Sequence, residues 1–398
     1  MTTATSSQNP VAPLWMLALL TLSGTLAMHI FVPALPLVVE SFGTTTSAAQ
    51  LTLSAYIVGL SLAQIAYGPI ADRFGRRPVL VAGMVIYAAA GISAFFASTI
   101  GSLIVARFFE ALGGGAGLVL GRAMVRDGNS GAEAARKLSL MNLMVMAGPG
   151  LSPLIGAMLA AVTGWRSIFA VLCLLGLVNL ALIWTRLPKT AAGEGRDMGV
   201  VMRSYGAMLK SRGFLGYAIG GGLATTAVYA FIAAAPFIFI DQLHRPAGEV
   251  GLYLALNIVG TWLGSLTASR LAGRVRMGRL LVQGNLLSCL GAAIFLAVVL
   301  GGHLTVASAI LPMMLLSFGA GIASPMALSE ALSIDPAAAG SASGLYGFAQ
   351  MAIGAICAAL SGIGSNPALS AGIVLLSAGA LAQLAFWIAQ RPQGEVVR

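Results

Sequence analysis

The sequence predicts an all-α integral membrane protein, and three observations carry that prediction. Only 9% of the 398 residues are charged and 58% are hydrophobic, whereas a water-soluble chain is roughly 25% charged. The apolar residues gather into twelve stretches, each close to the roughly 20 helical residues needed to cross a hydrocarbon core of about 30 Å. The basic residues fall in the short polar breaks between those stretches. That distribution excludes the nucleic-acid partner that a net charge of +10 would imply for a soluble chain.

The first six stretches run 14–39, 48–70, 78–98, 101–121, 138–162 and 166–186, and the second six run 213–240, 248–269, 279–300, 303–330, 341–362 and 367–390. Between the sixes lies the longest polar stretch, which reads as a linker. The expected organisation is an N-terminal tail (1–13), a first six-helix bundle (14–186), a linker (187–212), a second bundle (213–390) and a tail (391–398). Met1 to Pro13 contains no Lys or Arg, so it lacks the basic start of a signal peptide, and the first stretch is expected to remain as a helix.

An even number of spans places both ends of the chain on one side. Nineteen of the 22 Lys and Arg residues then fall on that same side; Arg166 and Arg245 lie opposite and Arg107 lies within a span. Because cytoplasmic loops are the basic ones, both termini are expected in the cytoplasm of a multi-pass inner-membrane protein. Cys173, Cys289 and Cys357 lie inside apolar stretches with no disulfide or metal-ligand spacing, so no metal is expected.

The halves echo each other about 200 residues apart. Pro33-Ala34-Leu35-Pro36 ends span 1, and Ala234-Ala235-Pro236-Phe237 occupies the matching part of span 7. Such internal symmetry points to a repeat-built carrier with its site between the halves.

The most specific stretch is Gly68-Pro69-Ile70-Ala71-Asp72-Arg73-Phe74-Gly75-Arg76-Arg77-Pro78. Gly68 and Pro69 are expected to end span 2, Asp72 to cap the structure after it, and the Arg cluster to pair with carboxylates or helix C-termini. In span 5, Gly148-Pro149-Gly150-Leu151-Ser152-Pro153-Leu154-Ile155-Gly156 is expected to break the helix, since each Pro removes a backbone hydrogen bond. Its glycines are expected to pack closely against a neighbour.

Ionisable residues inside the bilayer are costly and therefore informative. Arg107 and Glu110 stand three residues apart on one helical face, where they can neutralise each other. The functional reading makes Glu110 a proton-accepting carboxylate set by burial against Arg107. His29 is a further candidate, because imidazole titrates near neutrality. At 1.5 Å per residue, His29 and Arg107 both sit roughly 10 Å below the outer surface, so a proton and substrate site of His29, Arg107 and Glu110 is expected. Tyr56, Asn142, Tyr229, Asn257 and Gln350 are weaker candidates for the cavity wall, each also able to serve as glue between helices.

In position and pattern the Gly68 to Arg77 loop resembles the signature loop of the major facilitator superfamily. Arg107-Phe108-Phe109-Glu110-Ala111-Leu112-Gly113 resembles its fourth-helix motif. Arg122 to Asp127 and Gly164-Trp165-Arg166-Ser167-Ile168-Phe169 resemble the Bcr/CflA drug-efflux subfamily. The resemblance implies a major facilitator fold of twelve helices in two six-helix bundles, with spans 1, 4, 7 and 10 lining a central cavity. It makes the span 5 segment an antiporter motif. Members of this subfamily carry an acidic residue at the position of His29, so the histidine is a departure from the pattern.

The implied function is proton-coupled efflux of small amphipathic drugs by a monomer. It needs no cofactor beyond the proton gradient, and its partners are the substrate, protons and the lipid bilayer. The alternative is export of a sugar, amino acid or nucleoside. No nucleophile, metal cluster or paired carboxylates at depth point to an enzyme.

Overall fold

The computed structural model describes residues 12–127, 131–187, 198–271, 274–334 and 339–390. Twelve helices among them run between two faces. Span 1 covers Leu14–Phe42, span 2 Thr46–Phe74, span 3 Arg76–Phe95, span 4 Ile100–Asp127, span 5 Gly131–Thr163 and span 6 Arg166–Arg186. Span 7 covers Arg212–Gln242, span 8 Ala247–Leu271, span 9 Met277–Leu300, span 10 Val306–Ser333, span 11 Ala339–Leu360 and span 12 Pro367–Gln390. A further helix, Met198–Lys210, lies in the segment expected as a linker. The face that carries this helix is the linker side, and the opposite face is the far side.

Helices dominate because lipid offers no partner for an open backbone, so each segment must satisfy its own N–H and C=O groups. The far-side turns are short and locally encoded. Gly43 ends span 1 at a left-handed φ of 57°, a conformation that costs glycine nothing. Thr45 then caps span 2 by accepting from the Ala48 N–H at 3.2 Å. Thr305 and Ser308 form a reciprocal capping box at the start of span 10.

The signature stretch departs from expectation. Span 2 does not end at Gly68 and Pro69 but continues through Pro69 to Phe74, and the break is Gly75 alone, at φ 87°. Asp72 caps nothing: it lies inside the last turn of span 2, and span 3 begins without a side-chain cap. A proline within a membrane helix is tolerated where neighbouring groups take up the released carbonyl, so the Gly-Pro pair is a weaker stop than it would be in water. Span 5 likewise runs unbroken through Pro149 and Pro153.

The packing repeats itself. Span 4 packs against spans 1, 2 and 3, and span 10 packs against spans 7, 8 and 9. The halves meet along span 2 with span 11 and span 5 with span 8, the two pairs that a half-turn exchange of the bundles would interconvert. Spans 1 and 7 are both interrupted, span 1 by a 3-10 turn at Val32–Ala34 and span 7 at Ala227 and by a π turn at Ile238–Gln242. The prolines of the sequence echo, Pro33 and Pro236, lie in or just before these irregular turns.

Large apolar side chains face outward along the spans, including Leu174, Leu311 and Trp184. In water such exposure would mark an interaction surface; here the solvent is hydrocarbon. Trp15, Trp184 and Trp387 are exposed near the linker-side ends of spans 1, 6 and 12, the level at which tryptophan marks a membrane boundary.

Candidate functional site

A cavity of about 280 Å³ lies between the two bundles. Its wall comes from spans 1, 5, 7, 8, 10 and 11, with the second bundle contributing the larger share. Of the sequence-predicted residues, His29, Tyr229, Asn257 and Gln350 reach it, together with Pro149 and Pro153 of span 5.

The far side is sealed above this cavity by uncharged groups. Gln50 Nε2 of span 2 donates to the Ala233 carbonyl of span 7 at 3.1 Å, and the Ser47 hydroxyl donates to the Gly362 carbonyl beyond span 11. Gly251 of span 8 lies so close to the Pro153 carbonyl of span 5 that a methyl group there would stand 2.6 Å from it.

His29 is held by its own helix. Nδ1 stands 2.8 Å from the Thr25 carbonyl. A carbonyl only accepts, so Nδ1 carries the hydrogen and Nε2 is the basic atom of the neutral ring. The imidazole meets the Tyr229 ring edge-on at 6.4 Å between centroids, which places one ring from each bundle side by side on the wall. Among the described residues, His29 is the only lining side chain that ordinarily titrates near neutrality.

Arg107 and Glu110 sit elsewhere. Both are fully buried inside the first bundle, joined at 2.5 Å between Arg107 Nη1 and Glu110 Oε2. The guanidinium lies over the Tyr56 ring at 4.1 Å and the Phe31 ring at 5.0 Å, and its Nη2 donates to the Ala27 carbonyl of span 1 at 3.0 Å. Arg107 and His29 thus share a depth, as their positions in the sequence imply, but only His29 borders the cavity. Tyr56 does not line it either. Its hydroxyl donates to the Gly24 carbonyl at 2.8 Å within the first bundle. The Asn142 side chain lies outside the described residues.

In span 5 the small residues divide by role. Gly156 faces the Ile30 carbonyl with no room for a Cβ, so span 5 rides directly on span 1 there, while Gly148 faces the tip of the Leu22 side chain. Gly150 and Gly68 have open space where a Cβ would go. At the signature stretch, Arg77 Nη2 donates to the Trp184 carbonyl at 2.9 Å, near the C-terminal end of span 6; this is the helix-terminus pairing expected of the cluster. Arg73 lies over the Phe74 ring at 5.3 Å.

A sequence model of the Major Facilitator Superfamily matches residues 17–359. The chain belongs to this superfamily. It is 31% identical to multidrug resistance protein D of Escherichia coli K12 over 89% of each chain. It is 26% identical to a bicyclomycin resistance protein homologue of Haemophilus influenzae, covering 86% of this chain and 87% of the relative. Among solved structures, a D-xylose–proton symporter superposes with a TM-score of 0.75 at 16% identity, over 95% of this chain and 96% of the other. That similarity establishes the fold. The protein is a multi-pass membrane transporter of small molecules rather than an enzyme.

Sequence reasoning about this superfamily member missed the hydroxyl residues of the wall. Thr225 and Thr226 of span 7 line the cavity, and Thr225 accepts from Gln350 Nε2 at 2.7 Å. Both hydroxyls also donate to carbonyls one turn back, at Gly221 and Gly222. Such back-bonding lets threonine sit in any membrane helix, so its presence alone carries no signal. Interruption of span 7 at Ala227, directly beside the pair, is the feature that marks the site.

Proposed function

We propose that this transporter exports small amphipathic drugs across the inner membrane in exchange for protons, by alternating access of the central cavity. The observation that carries the reading is the placement of His29 on the cavity wall, at the junction of spans 1 and 7 and below the seal of the far side. A proton arriving from the periplasm and a substrate arriving from the cytoplasm would meet at the same imidazole. Either ligand can drive the cycle only through its different affinity for the two states, so their competition at one residue supplies the coupling.

Arg107 and Glu110 join the scheme through span 1. Their pair contacts the backbone at Ala27, so a change in its charge state would be felt two residues from His29. The bundles 14–186 and 213–390 would rock about the cavity, with the basic linker side in the cytoplasm as the distribution of Lys and Arg supports. The direction of transport is supported by the resemblance of the Gly148 to Gly156 segment to an antiporter motif, a segment that packs against span 1 at Gly156 and against span 8 at Pro153. The drug-resistance relatives support the substrate class. The energy source is the proton gradient, without a cofactor.

The test is accumulation in cells expressing the protein, with a drug panel and a panel of sugars, amino acids and nucleosides. Lower accumulation of drugs, reversed by a protonophore, is the expected result. Export confined to metabolites would replace this reading with that of a metabolite exporter.

A further inference from the structure

Among the described residues, the cavity wall holds no carboxylate. Of the twelve acidic residues, only Glu110 lies at the depth of the cavity among the described residues. Its Oε2 is engaged by Arg107, and both residues are sealed from every opening at 0% exposure. Glu40, Asp241 and Glu249 stand at far-side helix ends, and Asp72 and Glu330 at linker-side ends. Glu133, in span 5, is sixteen residues from Pro149, which is about 24 Å along a helix.

The wall instead carries neutral hydrogen-bonding groups, and two of them hold an oxygen without a partner. Asn257 is 5% exposed and donates through Nδ2 to the Tyr253 carbonyl at 3.3 Å, which leaves Oδ1 as an acceptor with nothing to accept from. Ser317 is 2% exposed and its hydroxyl likewise has no partner. Both line the cavity. A buried polar atom left unpaired is costly, and a ligand that offers an O–H or N–H removes that cost.

We infer that the substrates of this transporter are uncharged amphiphiles bearing hydroxyl or amide groups, with Asn257 and Ser317 as their polar anchors, and that lipophilic cations are excluded. This inference rests on the reading of the cavity as the drug site. A cation moved from water into an apolar cavity loses its hydration and needs an opposite charge there. None is present on the described wall, and a proton on His29 would add repulsion. Tyr229 offers one aromatic face, whereas recognition of organic cations by aromatic groups uses a cage of several.

The experiment compares chloramphenicol, an uncharged amide with two hydroxyls, with tetraphenylphosphonium, a cation without hydrogen-bonding groups. Both are measured for binding to the purified full-length protein and for transport in proteoliposomes. The wild type is expected to bind and transport chloramphenicol and to leave tetraphenylphosphonium untouched. Asn257→Ala should weaken chloramphenicol binding about tenfold, the value of one hydrogen bond to a buried group. Asn257→Asp should confer tetraphenylphosphonium binding. Should that variant fail to give monodisperse protein, Ser317→Asp, from the neighbouring span 10, carries the same test. Transport of tetraphenylphosphonium by the wild type overturns the inference and leaves drug export standing. Movement of neither compound, with no other uncharged drug exported, overturns both. Chloramphenicol binding unchanged by Asn257→Ala overturns the role of that anchor.

Discussion

Arg107 Nη2 donates to the Ala27 carbonyl at 3.0 Å, tying the buried ion pair of span 4 to span 1 one turn before the Val32–Ala34 interruption and two residues before His29. The pair and the histidine both hydrogen-bond carbonyls of the same stretch of span 1, at Ala27 and Thr25.

Removing one partner of that pair leaves the other charge buried. Glu110→Gln is expected to lower folding stability by about 3–5 kcal/mol, the cost of an uncompensated buried charge. The readout is the thermal unfolding midpoint of the purified protein in detergent. Combined with Arg107→Met, the loss should shrink, because no uncompensated buried charge then remains. An unchanged midpoint for Glu110→Gln alone would mean that the pair is not sealed from water.

Two of the glycines of span 5, Gly156 and Gly150, predict opposite outcomes for one and the same substitution. Gly156→Ala places a methyl group against the Ile30 carbonyl, where none fits, so spans 1 and 5 must separate. Transport should fall at least about tenfold, since overpacking costs roughly 1–3 kcal/mol. Gly150→Ala meets open space and should leave transport within about twofold of wild type. Equal effects of the two, in a vesicle transport assay, would contradict the packing.

The far-side seal depends on Gln50, which is fully buried and bonded to the Ala233 carbonyl of the other bundle. Gln50→Ala removes one hydrogen bond between the bundles, worth about 1 kcal/mol net. The equilibrium should move roughly fivefold towards the state open on the far side. Spin labels placed on the far-side loops would read this as a growing long-distance population, and an unaltered distribution would locate the seal elsewhere.

Much of this was legible in the sequence, for reasons that are physical. Apolar length and the positions of Arg and Lys define spans, because the bilayer imposes both. Helical rise alone set Arg107 and His29 at one depth, and the Arg107 bond to Ala27 agrees. Which face of a helix meets the cavity was harder to read, since a span that is apolar all round has no stripe to orient it. For Tyr56 the sequence leaves both the cavity wall and a role as glue between helices open, and the structure shows the second, a bond to Gly24 of span 1. Thr225, Thr226 and Ser317 passed unnoticed because small hydroxyls are unremarkable in membrane helices. Pro69 and Pro153 were expected to stop or break helices, as they would in water, but the helices run through both.

The central claim is that His29 carries the exchanged proton. Inverted membrane vesicles with an acidified interior, containing a pH-sensitive dye, measure it directly on addition of a drug that the efflux panel identifies. Wild-type vesicles should lose protons in proportion to drug, His29→Gln vesicles should bind the drug without losing protons, and His29→Asp should restore the response by returning a titratable group. Drug-driven proton release from His29→Gln vesicles at the wild-type rate would contradict the account.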